Sequence, residues 1–150
     1  WHTNTVGIGY SGPAIVDDRL FIMGGQEKKE FLYAINANSG EKIWETEIGT
    51  LLTNNWGDGP RGTPTIDGQL AYALSARGNL VCIQAGNGKL VWTKSMKDLG
   101  GNIPRWGYTE SVLVDGDQVV CTPGGNQGAL AALNKYVTKC SHSVSKILTF

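Results

Sequence analysis

The stretch Leu32-Tyr33-Ala34-Ile35-Asn36-Ala37-Asn38-Ser39-Gly40-Glu41-Lys42-Ile43-Trp44 decides the fold, because it recurs as Leu80-Val81-Cys82-Ile83-Gln84-Ala85-Gly86-Asn87-Gly88-Lys89-Leu90-Val91-Trp92. In both copies Leu stands eight positions before Gly, and Gly four before Trp. A third copy opens as Leu130-Ala131-Ala132-Leu133-Asn134-Lys135, so the leading leucines lie 48 and then 50 residues apart. A second block recurs upstream of each: Pro13-Ala14-Ile15-Val16-Asp17-Asp18-Arg19-Leu20-Phe21-Ile22, then Pro64-Thr65-Ile66-Asp67-Gly68-Gln69-Leu70-Ala71-Tyr72, then Ser111-Val112-Leu113-Val114-Asp115-Gly116-Asp117-Gln118-Val119-Val120.

Each unit reads as strand, turn, strand, loop, strand, turn, strand. Asp67-Gly68 and Asp115-Gly116 supply residues that tolerate the positive φ of tight hairpins, and Ser39-Gly40 and Asn87-Gly88 do so for the next hairpin. Leu70, Tyr72 and Leu74 alternate with Ala71 and Ala73, the period-2 signature of a strand. Ala34, Cys82 and Ala132 form a column of small residues where a neighbouring sheet can approach. The tryptophans bring large apolar area to the same interfaces. No helical periodicity of useful length is present. The 21 glycines among 150 residues, roughly twice the usual share, follow from several tight turns per repeat. Four antiparallel strands per repeat of about 50 residues make the blade of a β-propeller. The expected fold is therefore all-β: a partial propeller of about three four-stranded antiparallel blades, at about 10–49, 59–97 and 108–135.

The 32–44 and 80–92 patterns resemble the PQQ-like propeller repeat, named after pyrroloquinoline quinone dehydrogenases and also found in proteins that bind no quinone. The resemblance covers residues 7 to about 135. The segments Trp56-Gly57-Asp58-Gly59-Pro60-Arg61-Gly62-Thr63-Pro64 and Trp106-Gly107-Tyr108-Thr109-Glu110-Ser111 are similar to a bacterial branch of these propellers, the branch of the propeller lipoprotein of the outer-membrane β-barrel assembly machinery. The resemblance implies a periplasmic or secreted protein. The pattern breaks after Lys135: the expected glycine falls at Thr138 and the expected tryptophan at His142. Residues 136–150 thus read as an off-pattern tail, consistent with a truncated or frame-shifted coding region. Closed propellers need about four to eight blades, so three point to a piece of a longer chain. The start at Trp1, with no Met and no leader, points the same way. Open blade edges and uncovered apolar faces imply self-association of such a piece.

Composition narrows the function. Thirteen basic and thirteen acidic residues leave no excess charge to neutralise phosphates, so nucleic acid is not an expected partner. No apolar run reaches the 18 or so residues of a membrane helix. Cys82, Cys121 and Cys140 fit no metal or redox spacing. The first two sit in apolar runs and read as small buried hydrophobes. His2 and His142 have no carboxylate cluster beside them, so no metal site is expected. Gly7-Ile8-Gly9-Tyr10-Ser11-Gly12 matches the dinucleotide fingerprint G-x-G-x-x-G, but Pro13 and a strand follow it where that motif requires a helix.

The loops before each first strand hold the candidate site. Aligned units place Tyr10, Arg61 and Tyr108 in one column, and Gly12, Thr63 and Glu110 in another. Tyr10, Trp56, Asp58, Arg61, Arg105, Trp106, Tyr108 and Glu110 form a mixed aromatic and charged set suited to a protein or small ligand. The structural alternative pairs Asp58 with Arg61 and packs the tryptophans between blades. Gly40, Trp44, Gly88 and Trp92 are repeat positions. No catalytic residue is nominated. The resemblance implies, for quinone-dependent enzymes, Ca²⁺ held by carboxylates and an amide, an Asp base and a disulfide between adjacent cysteines. This chain has no adjacent cysteines, and no residue matches that ligand set. The leading expectation is a non-catalytic binding scaffold without cofactor. The alternatives are a piece of a quinone-dependent dehydrogenase, with PQQ and Ca²⁺, and a sensor domain of a larger signalling protein.

Overall fold

The computed structural model describes residues 1–126, 129–136 and 144–148. Among these residues twelve strands form three four-stranded antiparallel sheets, each ordered as in the chain. The first holds β1 (Ala14–Val16), β2 (Arg19–Gln26), β3 (Lys29–Asn36) and β4 (Lys42–Thr50). The second holds β5 (Thr65–Asp67), β6 (Leu70–Leu74), β7 (Asn79–Gln84) and β8 (Leu90–Ser95). The third holds β9 (Leu113–Asp115), β10 (Gln118–Cys121), β11 (Leu130–Asn134) and β12 (Val144–Leu148). These are the blades of a partial all-β propeller.

The turns explain the strand boundaries. The pairs Val16↔Arg19, Asp67↔Leu70 and Asp115↔Gln118 each enclose two residues. The first of those two is Asp17, Gly68 or Gly116, with φ of 53°, 56° and 56°. Glycine takes this left-handed backbone without Cβ strain, and Asp17 does not. In the second column Gly40 and Gly88 have φ of 77° and 75°. Their N–H groups donate to Asn36 O at 2.8 Å and to Gln84 O at 2.9 Å, closing longer turns.

The sheets stack through two apolar interfaces. Between the first and second lie Phe21, Met23, Leu32, Ala34, Trp44 and Ile48, facing Ala71, Ala73, Val81, Ile83 and Ala85. Between the second and third lie Tyr72, Leu74, Leu80 and Cys82, facing Val112, Val119, Cys121, Ala131 and Leu133. Alternate residues of β6 and β7 therefore point to opposite interfaces. That is why these strands read as continuous apolar runs: the middle sheet is buried on both faces.

One contact is repeated along the stack. The Trp44 indole N–H donates to Ala85 O at 3.1 Å, in the turn of the next sheet. The Trp92 N–H donates likewise to Lys135 O at 2.9 Å. Trp1 makes the same bond to Ala37 O at 2.9 Å, and so occupies the equivalent slot on the first sheet. Two of these rings lie over a glycine: a Cβ on Gly88 would stand 2.8 Å from the Trp44 ring, and one on Gly40 2.6 Å from the Trp1 ring. Phe21 tilts against Trp44 with ring centroids 5.9 Å apart, and Tyr72 against Trp92 at 6.0 Å. Burying one indole at such a site contributes about 4 kcal/mol before entropy.

Three details bear on the sequence reading. β12 falls inside residues 136–150, the stretch the pattern leaves outside the repeat, and pairs with β11 through Leu130↔Leu148 and Ala132↔Lys146. Backbone pairing needs neither the glycine nor the tryptophan that the pattern lacks there. Thr138, Cys140 and His142 lie outside the described residues. Cys82 and Cys121 are buried free thiols, pushed up by burial to about 11 and about 12, as inert core residues should be.

Asp17→Gly is expected to stabilise the protein by about 0.5–1 kcal/mol, because it removes a left-handed Asp whose two counterparts are already glycine. Urea denaturation checks this; an unchanged or lower midpoint contradicts it.

Candidate functional site

One end of the stack gathers the β2–β3 and β6–β7 turns and the long connectors 51–64 and 96–112. The lead-in segment joins them, with Ile8 bridged to Gly25 and the Tyr10 N–H donating to Pro60 O at 2.8 Å. This loop face holds all eight candidate residues.

Two connectors use the same turn to expose a tryptophan. The Gly57 N–H donates to Asn54 O at 3.2 Å, and the Gly107 N–H to Pro104 O at 2.9 Å. Both glycines have positive φ, 108° and 82°. The residue before each, Trp56 or Trp106, is thrown outward and stays 62% or 55% exposed. Hydrogen bonds stiffen the first turn: Asn54 Oδ1 accepts from the Trp56 N–H at 2.8 Å, and Asp58 Oδ1 from the Asn54 N–H at 3.0 Å. The Arg61 guanidinium donates to Gly57 O and Gly59 O from within the same loop. Asn54 Nδ2 reaches Arg105 O at 3.2 Å and ties the two connectors together.

The arginines back the aromatics. Arg61 lies 5.6 Å from the centre of the Tyr10 ring, and Arg105 lies 5.8 Å from that of Trp56. These separations suit cation–π attraction. Tyr10 is 65% exposed and forms, with Gly7, Ile8, Gly9 and Asp58, the wall of a shallow open groove.

Three expectations need correction. Tyr108 is buried, and its hydroxyl donates to Pro123 O at 2.8 Å, so it braces the third sheet and is not presented to a ligand. Burial raises its pKa, consistent with a neutral strut. Asp58 and Arg61 do not pair; each is satisfied by backbone within the loop, which closes the turn more tightly than a side-chain bridge across it. Trp56 and Trp106 do not pack between blades, because the blade interfaces are already filled by Trp44 and Trp92. Glu110 is half-buried and accepts from the Thr122 N–H at 3.0 Å with both oxygens; burial raises its pKa and that bond opposes the rise. In the fingerprint-like segment, Gly12 lies against Thr63 of the next lead-in, where a Cβ would stand 2.5 Å from the threonine hydroxyl.

Sequence reasoning missed Glu30, which is fully buried under this face. Its carboxylate accepts from the Leu52 N–H at 3.0 Å and the Ala76 N–H at 2.8 Å, joining β3 to the connector and to the β6–β7 turn of the second sheet. The equivalent position in the second repeat is Gly78, so repeat alignment carries no sign of it. Arg77, also missed, donates from Nε to Leu51 O at 3.1 Å.

A family model described as outer membrane protein assembly factor BamB matches residues 28–138. The chain belongs to this family. A search of curated proteins finds no match. Among solved structures, BamB from Moraxella catarrhalis superposes with a TM-score of 0.63 and 18% identity over 87% of this chain and 36% of that one. A europium-containing methanol dehydrogenase gives 0.61 and 16%, covering 87% of this chain and 23% of that one. Quinohemoprotein alcohol dehydrogenase from Comamonas testosteroni gives 0.61 and 18%, covering 89% and 20%. The chain thus spans about a third or less of the length of these structures, and at such identities the likeness concerns the fold.

The quinoprotein neighbours raise the question of a quinone and its cation. Among the described residues, no three His, Cys, Asp or Glu side chains converge where a cation could be held. Asp58 and Glu110 are each engaged with a backbone N–H, and Cys82 and Cys121 are separate buried thiols. The described residues do not fit the group. No candidate membrane-spanning helix occurs among them either.

Glu30 makes a pH prediction. Burial raises its pKa above 4.5, while the two backbone bonds and the charges of Arg61 and Arg77 oppose the rise. A group raised on folding stabilises fully below its unfolded value and loses that contribution as pH rises through the folded value. Measured against Glu30→Gln, the parent protein should therefore lose relative stability as pH climbs from about 4 to about 7. Urea midpoints of both proteins across that range check this; a difference that grows in the parent's favour contradicts it.

Proposed function

We propose that this chain is a non-catalytic propeller scaffold that binds a partner protein through its loop face, as part of a longer PQQ-like repeat protein outside the cytoplasm. The observation that carries this reading is the pair of exposed tryptophans, Trp56 and Trp106, held out on matching rigid turns beside Tyr10. Large aromatic rings on stiff loops lose little entropy on contact and dominate protein interfaces. The groove beside Tyr10 is too open to enclose a small molecule, whose sites are concave and bury most of the ligand. The family's description as an outer membrane assembly factor supports a protein partner and a periplasmic setting. The dehydrogenase reading rests on fold likeness alone.

Site-specific photo-crosslinking tests the proposal. A benzophenone amino acid replaces Trp56 on the loop face or Asn87 in the β7–β8 turn at the opposite end, in the full-length protein in its own cells. A discrete crosslinked protein from position 56 and none from position 87 is expected. Crosslinking only from position 87, or from neither, contradicts it.

A further inference from the structure

We propose that the loop face receives an extended acidic segment of a partner protein, one that alternates carboxylates with aromatic or aliphatic side chains; this rests on the loop-face reading above. Charge is unevenly placed on this chain. The chain as a whole is neutral, with 13 charges of each sign, yet three of its four arginines border one connector. Arg61, Arg77 and Arg105 surround residues 51–62 through their contacts with Gly57 and Gly59, with Leu51, and with Trp56. All ion pairs found among the described residues use lysine, and none uses these arginines.

The acidic groups nearby offset them only in part: Glu30 lies close enough to Arg61 and Arg77 to feel their charges, while Arg105 has no ion-pair partner among the described residues. Asp58 is turned into its own loop, bonded to the Asn54 N–H. Glu30 is buried beneath the face and committed to Leu52 and Ala76. Among the described residues Arg77 donates only from Nε, which leaves its terminal N–H groups able to grip a carboxylate. Arg105 is exposed and held beside the Trp56 ring, so one locus offers a planar cation and a flat apolar surface together. Trp106, next in the chain, repeats the apolar half of that offer.

An extended peptide matches this alternation. Its carboxylates would pair with Arg77 and Arg105, and its apolar side chains would lie on Trp56 and Trp106. Nucleic acid is a poorer match, because neutralising a phosphate chain takes many cations and the rest of this chain supplies no surplus.

Fluorescence anisotropy on the full chain tests this with a fluorescein-labelled peptide of alternating Asp and Phe, its Asn-for-Asp counterpart, and labelled oligo-dT. The Asp peptide should bind saturably, and more weakly as salt rises. Arg105→Gln or Arg77→Gln should weaken it about tenfold, as loss of a charge-assisted pair does, and Trp56→Ala should weaken it too. The Asn counterpart should bind at least about tenfold more weakly. Unchanged thermal melts of the three exposed-site variants show that folding is not the cause. If the Asn peptide binds equally well and Trp56→Ala abolishes it, the acidic inference is overturned and the loop-face reading stands. Peptide binding indifferent to Trp56→Ala overturns both. Oligo-dT binding as tightly as the Asp peptide overturns the inference in favour of a nucleic acid.

Discussion

The structure depends on one repeated contact: a tryptophan at the outer strand of one sheet, laid over the turn of the next and hydrogen-bonded to a carbonyl there. A propeller blade has two apolar faces and cannot bury either alone. Something must fix the distance and rotation between neighbouring sheets. The Trp44–Ala85 and Trp92–Lys135 bonds do so at the outer edge, where sheets diverge. The glycine is needed twice over at Gly88: its φ is left-handed, and its missing side chain is the space the indole fills. Trp1 over Gly40 follows the same rule on the outward face of the first sheet.

The loop face inherits its rigidity from that stacking. Once adjacent sheets are fixed, the connectors between them have set end-points. Their backbone groups are then satisfied locally or against the neighbouring sheet. Glu30 shows how: one buried carboxylate takes N–H groups from a connector and from the next sheet's turn. The Tyr108 N–H donates to Ala76 O at 2.9 Å and ties the following connector to the same turn. Rings exposed on such anchored loops lose less orientational freedom on contact than rings on unanchored ones.

Much of the fold was legible because each step had a local cause. The Leu-to-Gly-to-Trp spacing, the Asp-Gly turns and the alternating runs of β6 each constrain a few residues, and all agree on one blade. The site was legible only in composition. Alignment placed Tyr10, Arg61 and Tyr108 in one column, yet the chain exposes the first, half-buries the second and buries the third. Column position sets where the backbone runs; the side chain's fate depends on which neighbouring segment covers it. The repeat marks Trp44, four residues after Gly40, but carries no sign that Trp56 meets water. Trp56 sits inside a turn and meets water, whereas Trp44 lies near the start of β4 and meets the next sheet. Glu30 was invisible for a related reason, since its partners are backbone groups of two other segments.

A double-mutant cycle on Trp44 and Gly88 tests the central contact most directly. Trp44→Ala, Gly88→Ala and the double variant are compared with the parent by urea denaturation. If the ring and the missing Cβ occupy one space, the clash part of the Gly88→Ala penalty disappears once the indole is gone, and only the backbone strain remains. The account predicts that the double variant is more stable than the sum of the single effects by more than about 1 kcal/mol. Strictly additive effects would contradict it, and would mean that the sheets are held in register by something other than this docked tryptophan.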